Sequence, residues 1–170
     1  MVIHRLRYGQ NNMKIGIYPG TFDPITLGHL DIIKRANKLF DKVIIAVAED
    51  SRKNPIFTID ERKKLIEEST RNMNNVEVDS FKGLLVQYAE KIEAISIIRG
   101  LRVLSDFEDE FKMALMNRSL NDNIVTMFLM PHEKYTHLSS SIIREVAKLK
   151  GDISKLVPRN VKKALDEKFD

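Results

Sequence analysis

Short runs of aliphatic and β-branched residues alternate along the chain with longer stretches in which apolar residues recur every three to four positions. These are the two periods of strand and helix. Strands are predicted over 14–18, 42–48, 76–78, 94–98 and 124–129. Four of the five are nearly continuous in apolar residues, as strands covered on both faces must be, which predicts a parallel sheet; only 76–78 looks short. Between them, Thr58-Ile59-Asp60-Glu61 and Ser105-Asp106-Phe107-Glu108 each read as an S/T-x-x-E helix start. Leu27, Leu30, Ile33 and Ala36 lead on to Phe40 at helical spacing, as do Leu84, Leu85, Tyr88 and Ile92. A further helix is predicted over 139–150 with Gly151 as its stop, and a last one over 160–169 after Pro158. The expected fold is α/β, a Rossmann-like doubly wound parallel sheet of about five strands with C-terminal helices.

The 170 residues suit one domain, and neither a repeat nor a low-complexity linker divides them. The first twelve, MVIHRLRYGQNN, are polar and basic without an apolar period, and Met13-Lys-Ile-Gly-Ile-Tyr begins the first strand directly. Residues 1–12 are therefore expected to be a dispensable extension and 13–170 the domain. No apolar run approaches the roughly 18 residues of a membrane helix, and the N-terminus lacks a signal core, so a soluble, cytoplasmic protein is expected. The chain has no cysteine, which excludes disulfides, thiolate zinc sites and cysteine nucleophiles. Twenty-eight Lys and Arg against 24 Asp and Glu give a net charge of +4, and two of the basic residues, Arg5 and Arg7, fall in the acid-free first twelve. So mild an excess fits small anionic ligands better than a nucleic acid, which calls for denser clustering.

The unusual residues gather just after predicted strand ends, at 19–24 (PGTFDP), 99–102 (RGLR) and 132–141 (HEKYTHLSSS). In an open parallel sheet these positions share the edge where ligands bind. Gly28 and His29 fall in the first turn of a helix that follows a Pro- and Gly-rich turn, where unpaired N–H groups and the positive dipole end suit a phosphate. Close helix packing by Gly28 and local capping by His29 are the bland alternative. Arg99 and Arg102 offer guanidinium forks for phosphate oxygens, although Asp106, Glu108 or Asp109 on the next helix would serve equally well as partners. One of Ser139, Ser140 and Ser141 is explained as a cap; three in a row suggest a second phosphate cradle. Lys53 follows the second strand in Asp50-Ser-Arg-Lys-Asn-Pro55, where a solvated charge is the commoner fate.

Other chemistries find little support. His132 and His137 lie five apart in a loop without the spacing of a metal site, and no metal-binding residues are expected. The acidic runs at 67–68 and 108–110 read as solvated helix faces, with Glu110 alone a candidate to turn toward the ligand edge. The chain contains no G-x-x-x-x-G-K-[ST], G-x-G-x-x-G or G-x-S-x-G motif.

Together YPGTFDPITLGH, IIRGLR and SSSIIRE closely resemble the phosphopantetheine adenylyltransferase family, part of the nucleotidyltransferase superfamily marked by (T/H)xGH. The resemblance runs in register from about Met13 to the C-terminus. It implies transfer of the adenylyl group of ATP to 4′-phosphopantetheine, giving dephospho-coenzyme A and pyrophosphate, with Mg2+ delivered by the ATP. His29 would stabilise the transition state, helped by Lys53 and Arg102. Thr21, Lys53, Leu85 and Arg99 would contact the acceptor. Thr21, Phe22, His29, Gly100, Leu101, Arg102, Glu110, Tyr135, Thr136, His137, Leu138, Ser139, Ser140 and Ser141 would hold ATP. A homohexamer and feedback binding of coenzyme A are also implied. Asn54 stands where the family often has a second lysine, and His137 where an aromatic is common. Two other readings stay open: a different TxGH nucleotidyltransferase, such as one adenylylating nicotinamide mononucleotide, distinguished by the acceptor pocket around Leu85, Lys53 and Arg99; and a non-catalytic nucleotide-sensing or RNA-associated module, which would need a cationic stripe remote from the strand-end edge.

Overall fold

The computed structural model describes residues 13–50, 54–102 and 104–170, with backbone alone at 104–106; the extension 1–12 and Lys53 lie outside the described residues. In chain order the elements are β1 (Ile15–Gly20), α1 (Leu27–Ala36), β2 (Lys42–Ala48), α2 (Ile59–Thr70), β3 (Val76–Phe81), α3 (Leu85–Lys91), β4 (Ser96–Gly100), α4 (Leu104–Leu120), β5 (Val125–Leu129), a 3-10 turn (Glu133–Tyr135), α5 (Ser140–Lys148) and α6 (Arg159–Phe169). All five strands are parallel, in the order β3-β2-β1-β4-β5. The chain reverses its direction of travel across the sheet between β1 and β4, and the crevice beyond their C-terminal ends is where such sheets bind ligands.

Successive strand residues point to opposite faces, so each apolar strand feeds two cores. Val43, Ile45 and Val47 of β2 join Ile33 of α1, Ile66 of α2, Ile143 of α5 and Val161 and Leu165 of α6. Ile17, Ala46 and Ile97 join Val86 and Ala89 of α3 on the other face. This two-sided burial is the reason four strands read as nearly unbroken apolar runs.

The strand ends differ from the expectation. β1 runs on to Gly20, paired with Val47, and β4 to Gly100, paired with Leu129. Side-chain pattern misses these residues because the backbone ladder continues through proline, glycine and arginine, which carry no apolar strand signal. β3 reaches Phe81 because it is an edge strand with alternating half-buried and exposed residues. α2 starts with the expected reciprocal cap: Thr58 Oγ1 accepts from Glu61 N–H and Glu61 Oε2 accepts from Thr58 N–H. α5 ends at Lys148, two residues short of the expectation. The left-handed residue there is Lys150, φ +60°, not Gly151. Its N–H bonds Ala147 C=O while Gly151 N–H bonds Val146 C=O, the double bond of a Schellman cap. Gly151 is needed for space instead, since a Cβ there would lie 2.6 Å from Val146 Cγ1.

Candidate active site

The turn after β1 carries the first segment. Thr26 caps α1 by accepting the His29 N–H at Oγ1, and His29 Nδ1 accepts the Thr26 N–H at 3.0 Å. His29 thus occupies the third helical position, where Glu or Gln usually closes a capping box. A backbone N–H can only donate, so Nδ1 is the acceptor and, in the neutral ring, the proton sits on Nε2. The local cap and the cleft-facing role are compatible: the cap fixes the ring and selects the tautomer that makes Nε2–H a donor. The packing explanation of Gly28 fares less well. A Cβ there would meet Thr26 Oγ1 and Tyr135 at 3.5 to 3.6 Å, ordinary contact, so the protein alone does not demand glycine.

Phe22 has φ +49° and is 3% exposed. Its ring packs edge-on to Tyr18 and His29, with centroids 5.4 and 5.1 Å away. The left-handed conformation costs on the order of 1 kcal/mol for a side-chain-bearing residue, which the ring's burial offsets. Asn54, where the family often has lysine, also has positive φ, +40°; asparagine tolerates that region better than most residues.

Two residues that composition and spacing did not single out hold this turn. Asp23 is 1% exposed. Its Oδ1 accepts from Phe57 N–H, and its Oδ2 from Ile56 N–H and Arg144 Nη1, at 2.9 to 3.0 Å. Arg62, 2% exposed, donates from Nη1 to Thr21 C=O at 2.8 Å and Ala48 C=O at 3.3 Å. Desolvation pulls the Arg62 guanidinium below its ordinary pKa, and the Asp23 charge partly restores it.

At the end of β4, Arg99 pairs with Glu110 of α4 and leans on Pro19 C=O. The acidic partner on the next helix is thus Glu110, and not Glu108 or Asp109 as the sequence suggested. Arg102 donates to Leu138 C=O at 2.7 Å, tying the strand end to the approach of α5. At α5, Ser139 is the N-cap, accepting from Ile142 N–H and touching Ser141 Oγ, while Ser140 Oγ donates to Pro24 C=O. The serine hydroxyls thus have local work, and a phosphate there would meet chiefly the backbone N–H groups of the helix's first turn. Burial holds the Tyr18 hydroxyl protonated well above the ordinary tyrosine range, against the pull of Arg99 and Arg102.

These segments enclose a cleft of about 490 Å3 at the C-terminal edge of the sheet. Thr21, Phe22, His29, Leu85, Arg99, Gly100, Arg102, Glu110, Leu138, Ser139, Ser140 and Ser141 line it. Leu101 does not; its N–H bonds Leu129 C=O and extends the ladder. Tyr135, Thr136 and His137 also lie off the lining, on the 3-10 turn and the loop that follows it. Lining residues that sequence reasoning missed include Asp23, Arg144, Met113 and Phe81. A second hollow of about 430 Å3, between α2 and α6, contains none of the expected residues.

A five-stranded parallel sheet with two helix starts, two arginines and a histidine around the crevice at its switch point is a Rossmann-like α/β domain with its ligand crevice lined by groups that suit phosphate. Residues 17–146 match the cytidylyltransferase-like family. The fold is shared by a putative nicotinate-nucleotide adenylyltransferase from Vibrio parahaemolyticus, with TM-score 0.70 and 21% identity over 90% of this chain and 98% of that one. Phosphopantetheine adenylyltransferase of Alkaliphilus metalliredigens is 54% identical over 156 residues, 92% of this chain and 99% of the relative. That of Geotalea daltonii is 55% identical over 158 residues, 93% and 98% respectively. The chain belongs to the phosphopantetheine adenylyltransferase family.

Proposed function

We propose that the protein transfers the adenylyl group of ATP to 4′-phosphopantetheine, releasing pyrophosphate and forming dephospho-coenzyme A. The observation that carries this reading is the gathering of Thr21, His29, Arg99, Arg102 and the α5 serines around one cleft, in a chain more than half identical to relatives of that name.

A phosphate monoester is already anionic near pH 7, with its second pKa near 6. Its oxygen attacks the α-phosphorus of ATP in line and pyrophosphate leaves from the opposite side, with no covalent enzyme intermediate. The step requires no general base, and Tyr18, kept neutral, offers none. The protein's task is alignment and stabilisation of shifting charge. His29 Nε2–H and the first turn of α1 serve the α-phosphoryl group. Arg102, Gly100 and the first turn of α5 serve the nucleotide. Arg99, with Lys53 and Thr21, takes the acceptor phosphate, and Leu85 faces its apolar arm. In this assignment Glu110 orients Arg99, while Leu101 and Tyr135 to His137 shape the loops around ATP.

Among the described residues no cluster of three His, Asp or Glu side chains could cage a metal. The cleft carboxylates are both engaged, Glu110 by Arg99 and Asp23 by two N–H groups and Arg144. The donor set does not fit a resident ion, and Mg2+ would arrive bound to the nucleotide substrate.

Residues 13–170 form the catalytic domain in this reading, with 1–12 dispensable. The proposal includes a homohexamer; association of copies in general is supported by the apolar residues that α4 leaves exposed, among them the stripe Phe107, Phe111 and Leu115, each over 40% accessible. Coenzyme A, carrying the acceptor's own arm, would compete for the acceptor side as feedback. No described helix is long and apolar enough to cross a membrane; a cytoplasmic reaction is part of this proposal and does not follow from that absence. Pyrophosphate release from ATP with a panel of phosphorylated acceptors tests the reading. Turnover with 4′-phosphopantetheine is expected; turnover only with nicotinamide mononucleotide, or with no acceptor, would overturn it.

A further inference from the structure

The turn that follows β1 lies between the two halves of the cleft. On one side is the segment between β2 and α2, whose described end is residues 54–58; on the other is α5, which follows β5 at the opposite edge of the sheet. One buried carboxylate touches both. Asp23 Oδ1 and Oδ2 accept from the N–H groups of Phe57 and Ile56, and Oδ2 also accepts from Arg144 Nη1, one turn into α5. The same Nη1 donates to Asp23 C=O at 2.6 Å, and Ser140 Oγ donates to the next carbonyl, that of Pro24, at 2.8 Å.

A carboxylate so deeply buried is costly unless its lone pairs are filled and a cation stands by. The cation here comes from a helix 121 residues further along the chain. The stability of the buried charge therefore depends on α5 being seated, and the path of residues 54–57 depends on that charge.

We propose that Asp23 and Arg144 are positioning residues that set the acceptor-side segment and the nucleotide-side helix in register, so that the acceptor phosphate and the α-phosphoryl group meet in line. The inference rests on the adenylyltransferase reading. Neither residue needs to touch a reacting atom. In-line transfer is sensitive to placement, and a misplacement of about 1 Å can cost roughly a hundredfold in rate.

Arg144→Met removes the cation while keeping much of the side chain's bulk, and Arg144→Lys returns a charge that can reach the same point, because a single nitrogen makes both contacts. The expected result for Arg144→Met is a kcat lower by roughly 10- to 100-fold, with the Kd of ATP alone and of 4′-phosphopantetheine alone each within about threefold, and recovery of at least half the loss, on a logarithmic scale, in Arg144→Lys. Amide hydrogen exchange at Ile56 and Phe57 in the free protein should be at least about tenfold faster in Arg144→Met, since opening of that segment sets the rate. Asp23→Asn, measured under conditions where its circular dichroism is native, should likewise show faster exchange at Ile56 and Phe57 than wild type, and unchanged exchange there would count against the clamp. Unchanged exchange at Ile56 and Phe57 in Arg144→Met, or a kcat within twofold of wild type, would overturn the proposal. A wild-type protein inactive on every acceptor would instead overturn the adenylyltransferase reading, leaving the exchange measurement to decide the clamp.

Discussion

Arg99 and Glu110 meet across the cleft in a double contact, Nε to Oε2 and Nη2 to Oε1, each at 2.5 Å. The third nitrogen, Nη1, leans on Pro19 C=O at 3.4 Å. One edge of the guanidinium is thereby taken by Glu110, which leaves a further N–H on each terminal nitrogen for the two-point grip on phosphate proposed above. In the proposed function Glu110 would orient Arg99 for that contact, as outer partners do around metal ligands.

Glu110→Gln keeps the shape and removes the charge. We expect the KM for 4′-phosphopantetheine to rise about tenfold, in line with losing a charge-assisted hydrogen bond of about 1.5 kcal/mol. The KM for ATP should change less than about twofold, and Tm hardly at all, because a partly exposed pair contributes little to stability. Steady-state kinetics with each substrate varied in turn decides this. A larger rise for ATP would place Glu110 on the nucleotide side of the cleft.

The double role of His29 calls for a substitution that separates cap from chemistry. Alanine removes the imidazole and the acceptor of the Thr26 N–H together. Glutamine at the third helical position can still accept the Thr26 N–H, as in an ordinary capping box, yet brings no imidazole to the phosphates. His29→Gln should keep Tm within a few degrees and ATP affinity within a few fold, while single-turnover rate falls on the order of 10² to 10³, the usual loss for one transition-state donor. Near-normal turnover in the folded variant would remove His29 from the mechanism.

Gly28→Ala distinguishes a packing glycine from one that admits a ligand. Packing leaves room for the methyl group, and alanine is the better helix former by roughly 0.5 to 1 kcal/mol. Tm should stay level or rise, while the KM for ATP rises more than about tenfold because the phosphates can no longer approach the N–H groups of α1's first turn. A fall in Tm with unchanged KM would restore the packing explanation.

The fold was legible because β1, β2 and β4 are buried on both faces and show it as apolar runs, and because Thr58 and Glu61 announce their helix at fixed spacing. The edge strand β3 was only half legible, since Glu77 and Asp79 face outward. Within the cleft, residues that signal themselves by type and place, Gly28 and His29 at a helix start and Arg99 at a strand end, were found. Asp23 and Arg144 were not, because nothing in either sequence neighbourhood marks a contact 121 residues away. Arg62 likewise sits in the run Glu61-Arg62-Lys63-Lys64, where its type matches its more exposed neighbours and only the tertiary structure sets it apart. Lys150 took the left-handed position that the adjacent Gly151 seemed made for. Caps are set by hydrogen-bond register, which shifts by one residue without changing the composition.

Asp31 provides a prediction about pH. Burial alone would raise its carboxyl, but the Arg35 side chain and the His132 backbone N–H outweigh it and hold the pKa below the ordinary 3.8. Asp31 Oδ2 accepts from both, at 2.7 Å from Arg35 Nε and 2.9 Å from His132 N. It thereby ties α1 to the start of the 3-10 turn that carries Tyr135. A folded pKa below the unfolded one means that the contribution is fully present above the unfolded value and disappears as pH falls through the folded one. The tether should thus be constant from neutrality to about pH 5 and be lost below about pH 4. Asp31→Asn, which can still accept the N–H but carries no charge, should be less stable than wild type at pH 6, and the gap should shrink toward pH 3. Urea unfolding at pH 6, 4.5 and 3, with amide exchange at His132 beside it, measures this directly. A gap that stays constant over the whole range would mean that shape and not charge holds the turn against α1.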